Sequence, residues 1–290
     1  MSTRKKRPKA PWKKILYEKQ DYPDNYTDQN IFLKDLRKNV DFKEVSLWEA
    51  CLGASRLLQE FFTVILFILI YLYMVNKWVE PGIVLYGMSG TSFLGFVFYR
   101  IDFTNSAPKV KQHSLGYDIR TILTFVAFGQ LFSPVLHTLT DTISTDTIYT
   151  MTFIMLLLHL IFFDYGVSSA MVSKSISLSA AMFASICLAS RLTSANDAFV
   201  LLTVATQIFV LSPILRKELN HNVILTVILF VLDFGFLIQV SFLMSFLFLF
   251  VVVLVNLICP VLFVRYQKLK DNIYGPWDEA VVNDADNIVL

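Results

Sequence analysis

Two ionisable groups sit in an otherwise oily stretch, LLLHLIFFDYG (Leu156–Gly166): His159 in the middle and Asp164 near the end. An imidazole and a carboxylate can hold, share or move a proton, so their spacing is the first question. Five helical residues separate them by about 7–8 Å along the axis and roughly 140° around it. They are expected to serve different neighbours rather than each other. Asp233 is a third candidate, an acid in the middle of another apolar run. Such an acid costs about 2.5–3.5 kcal/mol on insertion scales, so it is expected to be neutral or to face the interior of a bundle. Asp284–Ala285–Asp286 matches a metal-nucleotide pattern, but it lies in a polar tail near the end and reads as coincidence. Cys51, Cys187 and Cys259 are too scattered for a disulfide framework or a zinc site and are read as packing residues. P-loop, HExxH and GxSxG patterns are absent. No stretch looks like a soluble domain with a Gly-rich phosphate turn. No catalytic residue, metal or other cofactor is therefore assigned, and an enzyme acting alone is not expected.

The elements that must position these residues are apolar helices. The chain has 290 residues, 55% of them hydrophobic and only 17% charged, and a mean hydropathy of +0.57. Ordinary soluble domains are nearer 45–50% apolar. A bilayer crossing needs about 20 mostly apolar residues. Eight segments come close: Leu57–Val75, Ile83–Tyr99, Ile119–Leu136, Ile148–Phe163, Ile176–Ser190, Ala195–Leu215, Val223–Val240 and Phe242–Val264. The last two form one run, divided near Gln239–Ser241 because a single helix of that length would overrun the membrane. The fold class is thus all-α, a polytopic membrane helix bundle of about eight spans. Its parts are a basic N-terminal tail (1–56), the spans (57–264) and a C-terminal tail (265–290). The first apolar run begins near Leu57, so neither a cleavable leader nor a myristoyl site is expected.

With eight spans and the N-terminus inside, 23 of the 25 Lys and Arg residues fall on the inner side. Lys77 and Arg191 are the exceptions, so both termini are expected in the cytosol. The connections on the other side are too short for a folded domain. Arg4–Lys19 holds eight basic residues beside Trp12, Ile15, Leu16 and Tyr17, which suits an anionic membrane surface. No nucleic-acid partner is expected. A short helix is expected over Asn30–Val40, after a turn-rich Asp21–Asp28.

Two strips of small side chains could let helices approach closely. One is Ser173, Ser177, Ala181, Ser185 and Ala189 in the fifth span, and the other is Gly87, Thr91 and Gly95 in the second. Packing within the chain is the plain reading, and contact with another subunit the alternative. Thr145 or Asp146 is expected to cap the fourth span, which leaves Asp141 unexplained. Asp164 falls at the C-terminal end of that span, where the helix dipole disfavours a carboxylate by about 0.3–1 kcal/mol. Helix stability does not account for it. Either hydrogen bonding between helices or a polar pocket at the cytosolic mouth does.

Five segments in register resemble one family: LYEKQDYPDNYTD (16–28), FSPVLHTLTDTISTDTIYTM (132–151), HLIFFDYG (159–166), FASICLASRL (183–192) and NIYGPWDEA (272–280). The chain is similar, from near Trp12 to about Ala280, to the phosphatidylinositol glycan class C (PIG-C) family. The resemblance implies a multispan subunit of the endoplasmic-reticulum complex that moves N-acetylglucosamine from UDP-N-acetylglucosamine to phosphatidylinositol, opening glycosylphosphatidylinositol (GPI) anchor synthesis. It implies partners of the PIG-A, PIG-H, PIG-P, PIG-Q and PIG-Y types, with catalysis in the PIG-A type. Phosphatidylinositol itself is a candidate ligand. On this reading Asp164, Tyr165 and Lys174 line a mouth where a lipid headgroup or a partner docks, with His159 behind them. Ser177, Ala181, Ser185 and Ala189 are helix-packing residues. Asp233 lies outside the matching segments. A small transporter or lipid scramblase lined by His159, Asp164 and Asp233 is the alternative.

Overall fold

The computed structural model describes residues 19, 22–23, 26, 37–39, 42–106, 115–140, 142–166, 172–218, 223–271 and 273–274. Among them are eight helices. These are α1 (Leu47–Val75), α2 (Pro81–Ser106), α3 (Leu115–Thr138), α4 (Thr145–Phe162), α5 (Lys174–Ala189) and α7 (Val223–Val240), with two composite helices, α6 and α8. In α6, Ala195–Thr206 continues through a π turn at Gln207–Leu211 into Ser212–Glu218. In α8, Phe242–Val253 continues through a second π turn at Leu254–Ile258 into Cys259–Tyr266 and a 3-10 turn at Gln267–Leu269. Seven of the eight are long and apolar enough to cross a membrane, and α5 is the shorter one.

The eight expected runs each become a helix, and the break in the last long run falls at Ser241. Its extended backbone (φ −163°, ψ 126°) ends α7 and starts α8. Helix ends differ from the apolar limits because backbone hydrogen bonding continues past the last oily residue. At 29 residues and 1.5 Å each, α1 is about 43 Å long. It starts ten residues before Leu57, over the mixed stretch Leu47–Arg56. The cap of α4 is Ser144, whose hydroxyl accepts the Thr147 N–H, rather than Thr145 or Asp146, which lie inside the first turn. Asp141 lies outside the described residues.

The chain divides into two compact units, Leu47–Val261 and the terminal segments 1–46 with 262–290. In the terminal unit Arg37–Lys38 is extended and pairs antiparallel with Ile273–Tyr274. Lys38 bridges to Asp271 at 3.1 Å. The helix expected over Asn30–Val40 is therefore replaced at Arg37–Lys38 by strand pairing, and residues 30–36 lie outside the described set. Gln267 holds Val45 by both backbone groups, at 3.0 Å each.

In the larger unit α1 is central, with a different apolar cluster on each side. Val64, Phe67, Tyr71 and Met74 pack with α4, α5 and α6. Leu58, Phe62 and Leu69 pack with Leu237 of α7 and Phe248 of α8. Gln59 donates to Thr226 at 2.7 Å on that second side. Outward faces of α2, α3 and α8 remain apolar and exposed, as at Phe93, Phe98, Leu131, Phe246 and Phe250. These faces suit lipid tails. The small residues of α5 are inside: Ser177, Ala181, Ser185 and Ala189 are all buried. The α2 strip behaves differently. Gly87 and Thr91 are exposed, and only Gly95 meets a neighbour, where a Cβ would come within 2.9 Å of Leu215 of α6.

Candidate functional site

An ionised carboxylate placed in the interior needs cations and hydrogen bonds around it. Glu60, two residues past Leu58 on the central helix, is 0% exposed. Its Oε1 accepts from His159 Nε2 of α4 at 2.9 Å. Its Oε2 accepts from Arg216 Nη2 of α6, the guanidinium being buried as well. The fourth helix joins through Ser177 of α5, whose carbonyl lies 3.0 Å and whose hydroxyl lies 2.9 Å from His159 Nδ1. That hydroxyl is also 3.1 Å from the carbonyl of His159 itself.

Donor and acceptor rules constrain the ring. Glu60 can only accept, so Nε2 carries the hydrogen it donates. On the other side the Ser177 hydroxyl can donate to a bare Nδ1. If Nδ1 is protonated it donates to the Ser177 carbonyl, and the hydroxyl turns to the carbonyl of His159. The serine thus accommodates both protonation states. Aromatic rings seal the cluster. Phe209, on the π turn of α6, meets the imidazole edge-on at 5.0 Å, and Phe163 does so at 5.6 Å while lying under the Arg216 guanidinium.

One turn nearer the surface lies the α4–α5 connection. Asp164 is not joined to His159. Its Oδ1 accepts the Gly166 N–H at 3.0 Å and its Oδ2 pairs with Lys174 at 3.2 Å. The Gly166 amide, then Lys174, hold this carboxyl below the usual aspartate range, with Lys217 adding a smaller pull. Gly166 has φ +81°, a backbone that glycine adopts without strain. Tyr165 turns inward and donates to the Leu160 carbonyl at 2.7 Å. Burial pushes its phenol up, and the Glu60 charge adds to this.

Two of the central residues, Glu60 and Arg216, were not among the sequence candidates, and Ser177 was read for its size alone. The available signal was Glu60 itself, a carboxylate just inside the first apolar run. Asp233 lies on the other side of α1, among the α7–α8 contacts. It is 0% exposed, and neither carboxyl oxygen has a hydrogen-bond partner among the described residues. At the opposite end of the bundle Arg191 donates to the carbonyl and hydroxyl of Thr140, whose hydroxyl also bonds Ser190. No group of three or more His, Cys, Asp or Glu among the described residues could hold a metal ion. Asp284 and Asp286 lie outside the described set.

A family model described as GPI2, phosphatidylinositol N-acetylglucosaminyltransferase, matches residues 12–278. The chain is 39% identical over 282 residues to the C subunit of phosphatidylinositol N-acetylglucosaminyltransferase from Mus musculus, covering 96% of this chain and 95% of that one. It is 39% identical over 278 residues to the Homo sapiens protein of the same name, covering 94% and 93%. To the GPI2 subunit of Schizosaccharomyces pombe it is 28% identical over 286 residues, covering 94% and 87%. No solved structure matches the chain.

Proposed function

Because the chain belongs to the GPI2 family of phosphatidylinositol N-acetylglucosaminyltransferase subunits, we propose that it serves that complex as a non-catalytic scaffold. The complex performs the first step of GPI-anchor synthesis, and this chain is one of its subunits. The observation that supports a scaffold is the Glu60–His159–Arg216 cluster. The groups best suited to acid–base work are consumed by one another and shut away, His159 being 1% exposed and Glu60 0%. They tie four helices at one level and leave no reactive atom facing a substrate. On this reading the transfer from UDP-N-acetylglucosamine belongs to a PIG-A type subunit, accompanied by PIG-H, PIG-P, PIG-Q and PIG-Y types. The chain sits in the endoplasmic-reticulum membrane. The end of the bundle that carries Asp164 faces the cytosol and receives a partner or the lipid.

Overpacking tests the scaffold. Ala181→Leu or Ser185→Leu puts a large side chain where α5 has a buried small one, and such changes typically cost about 1–3 kcal/mol. The expected result is lower recovery of the complex in mild detergent, with normal N-acetylglucosaminyl-phosphatidylinositol synthesis per recovered complex. Full recovery with lost turnover would place this chain in the chemistry instead.

Orientation rests on the charge bias, and Arg191, one of its two exceptions, already has Thr140 as partner. Asn25–Tyr26–Thr27 is the one glycosylation sequon in the chain. With the N-terminus cytosolic, Asn25 never meets the glycosylation machinery and stays unmodified. A glycosidase-sensitive mass shift abolished by Asn25→Gln would reverse the topology.

A further inference from the structure

The surface tier above the buried cluster is built on the same four helices. Arg56 lies one turn before Glu60 on α1, and Lys174 one turn before Ser177 on α5. Lys217 follows Arg216 on α6, and Asp164 follows His159 just beyond the end of α4. The buried ties therefore set the spacing of the exposed charges. Lys174 Nζ is 3.2 Å from Asp164, with 74% of its side chain exposed against 33% for the acid. Arg56 lies over the same turn, its Nη1 3.5 Å from the point a Cβ on Gly166 would occupy.

Charge is unequal between the two tiers. Below, the Arg216 cation is matched by the Glu60 carboxylate. Above, among the described side chains, Arg56, Lys174 and Lys217 gather at the turn that carries Asp164, leaving two positive charges. Helix stability does not demand this. Lys174 is in the first turn of α5, where the dipole disfavours a cation; Arg56 stands in the third turn of α1, beyond its reach, and only Lys217, in the last turn of α6, is favoured by it. The single acid is held by a backbone N–H and one lysine, which leaves lone pairs free to accept hydroxyl donors.

We propose that Arg56, Lys174 and Lys217 around Asp164 form a headgroup site for a phosphodiester lipid bearing a polyol. The cations take the phosphate, and Asp164 accepts hydrogen bonds from the polyol hydroxyls. Neither half suffices. A bare carboxylate repels phosphate, and cations alone bind any anionic lipid. Together they select a lipid that is both anionic and hydroxylated, which is the chemistry of phosphatidylinositol. The site deepens the scaffold reading, since it gives the docking end a lipid to present. It rests on that reading only for its place in the complex, not for binding itself.

The test uses the full-length chain purified alone in mild detergent and titrated with dioctanoyl phosphatidylinositol and dioctanoyl phosphatidic acid. Wild type is expected to prefer phosphatidylinositol. Arg56→Gln with Lys217→Gln should weaken both lipids by about tenfold. Asp164→Ala should remove the preference while leaving phosphatidic acid binding intact, and Asp164→Asn should keep part of it. The three substituted positions are at or near the surface, so folding is checked by an unchanged melting temperature. Soluble inositol 1-phosphate provides the arm for a free headgroup. If it competes only weakly, the acyl-bearing lipid is the ligand, and if it competes as well as the lipid does, the same chemistry serves a free phosphate and the lipid assignment falls. Unchanged lipid binding in the Arg56→Gln, Lys217→Gln chain overturns the site. Normal lipid binding with lost co-purification of other subunits also overturns it, and leaves the scaffold reading standing with this patch as a protein contact.

Discussion

Glu60→Leu alone is expected to destabilise the bundle by about 3–5 kcal/mol, because it strands the Arg216 cation in the interior. Arg216→Leu alone should cost a similar amount by stranding the carboxylate. The double substitution removes both charges and should recover much of the loss, since apolar replacement of a whole buried pair is often nearly neutral. Recovery stays incomplete because His159 Nε2 loses its acceptor, which leaves a buried donor worth about 1–3 kcal/mol. Thermal denaturation of the full-length chain in mild detergent measures all three. Additive losses in the double variant would mean that Glu60 and Arg216 do not act as a pair.

The second acid gives the opposite sign. Asp233→Leu should stabilise the chain by about 1–3 kcal/mol, because it removes a buried polar group with no hydrogen-bond partner among the described residues. Asp233→Asn should gain less, since the amide is no better satisfied. Two carboxylic side chains, both 0% exposed, one on α1 and one on α7, thus respond differently because only Glu60 has partners among the described residues. The same melting measurement decides it. A loss on Asp233→Leu as large as that on Glu60→Leu would show that the Asp233 carboxyl is bonded, by water or by another group. A gain in stability joined to a loss of complex activity would mark a functional acid, retained against its cost to folding.

Much of the bundle could be read from hydropathy. Eight apolar runs became eight helices, and the division at Ser241 followed from the limit that membrane thickness places on one helix. The ends were less legible because α1 begins at Leu47, in a mixed stretch where Glu49 and Arg56 interrupt the apolar pattern and no bilayer argument sets a boundary. The centre was hidden for two further reasons. Glu60 stands close to the edge of its apolar run, beside Arg56 and Gln59, and so resembles an interfacial charge. Arg216 comes after the π turn at Gln207–Leu211. A π turn holds one residue more than an α turn, so a helical wheel drawn straight through it misplaces every later residue by about 100°. Ser177 was visible through its spacing with Ala181 and Ser185. Its bond to His159 depends on how α5 registers against α4, which neither helix encodes alone.

The shortness of α5 reaches beyond the protein. At 16 residues and 1.5 Å each it spans about 24 Å, against a hydrocarbon thickness near 30 Å on average. Ile176, Leu178 and Phe183 point outward from it, so none of the described residues of this chain covers that apolar face. Such mismatch is relieved by thinning the adjacent leaflets. Beside α5 the bilayer should therefore dip, bringing phosphate groups down toward Lys174 at its first turn. A thin, easily deformed membrane accommodates that dip at lower cost than a thick, sterol-rich one, so the shortest helix favours the membranes in which the protein is most easily housed.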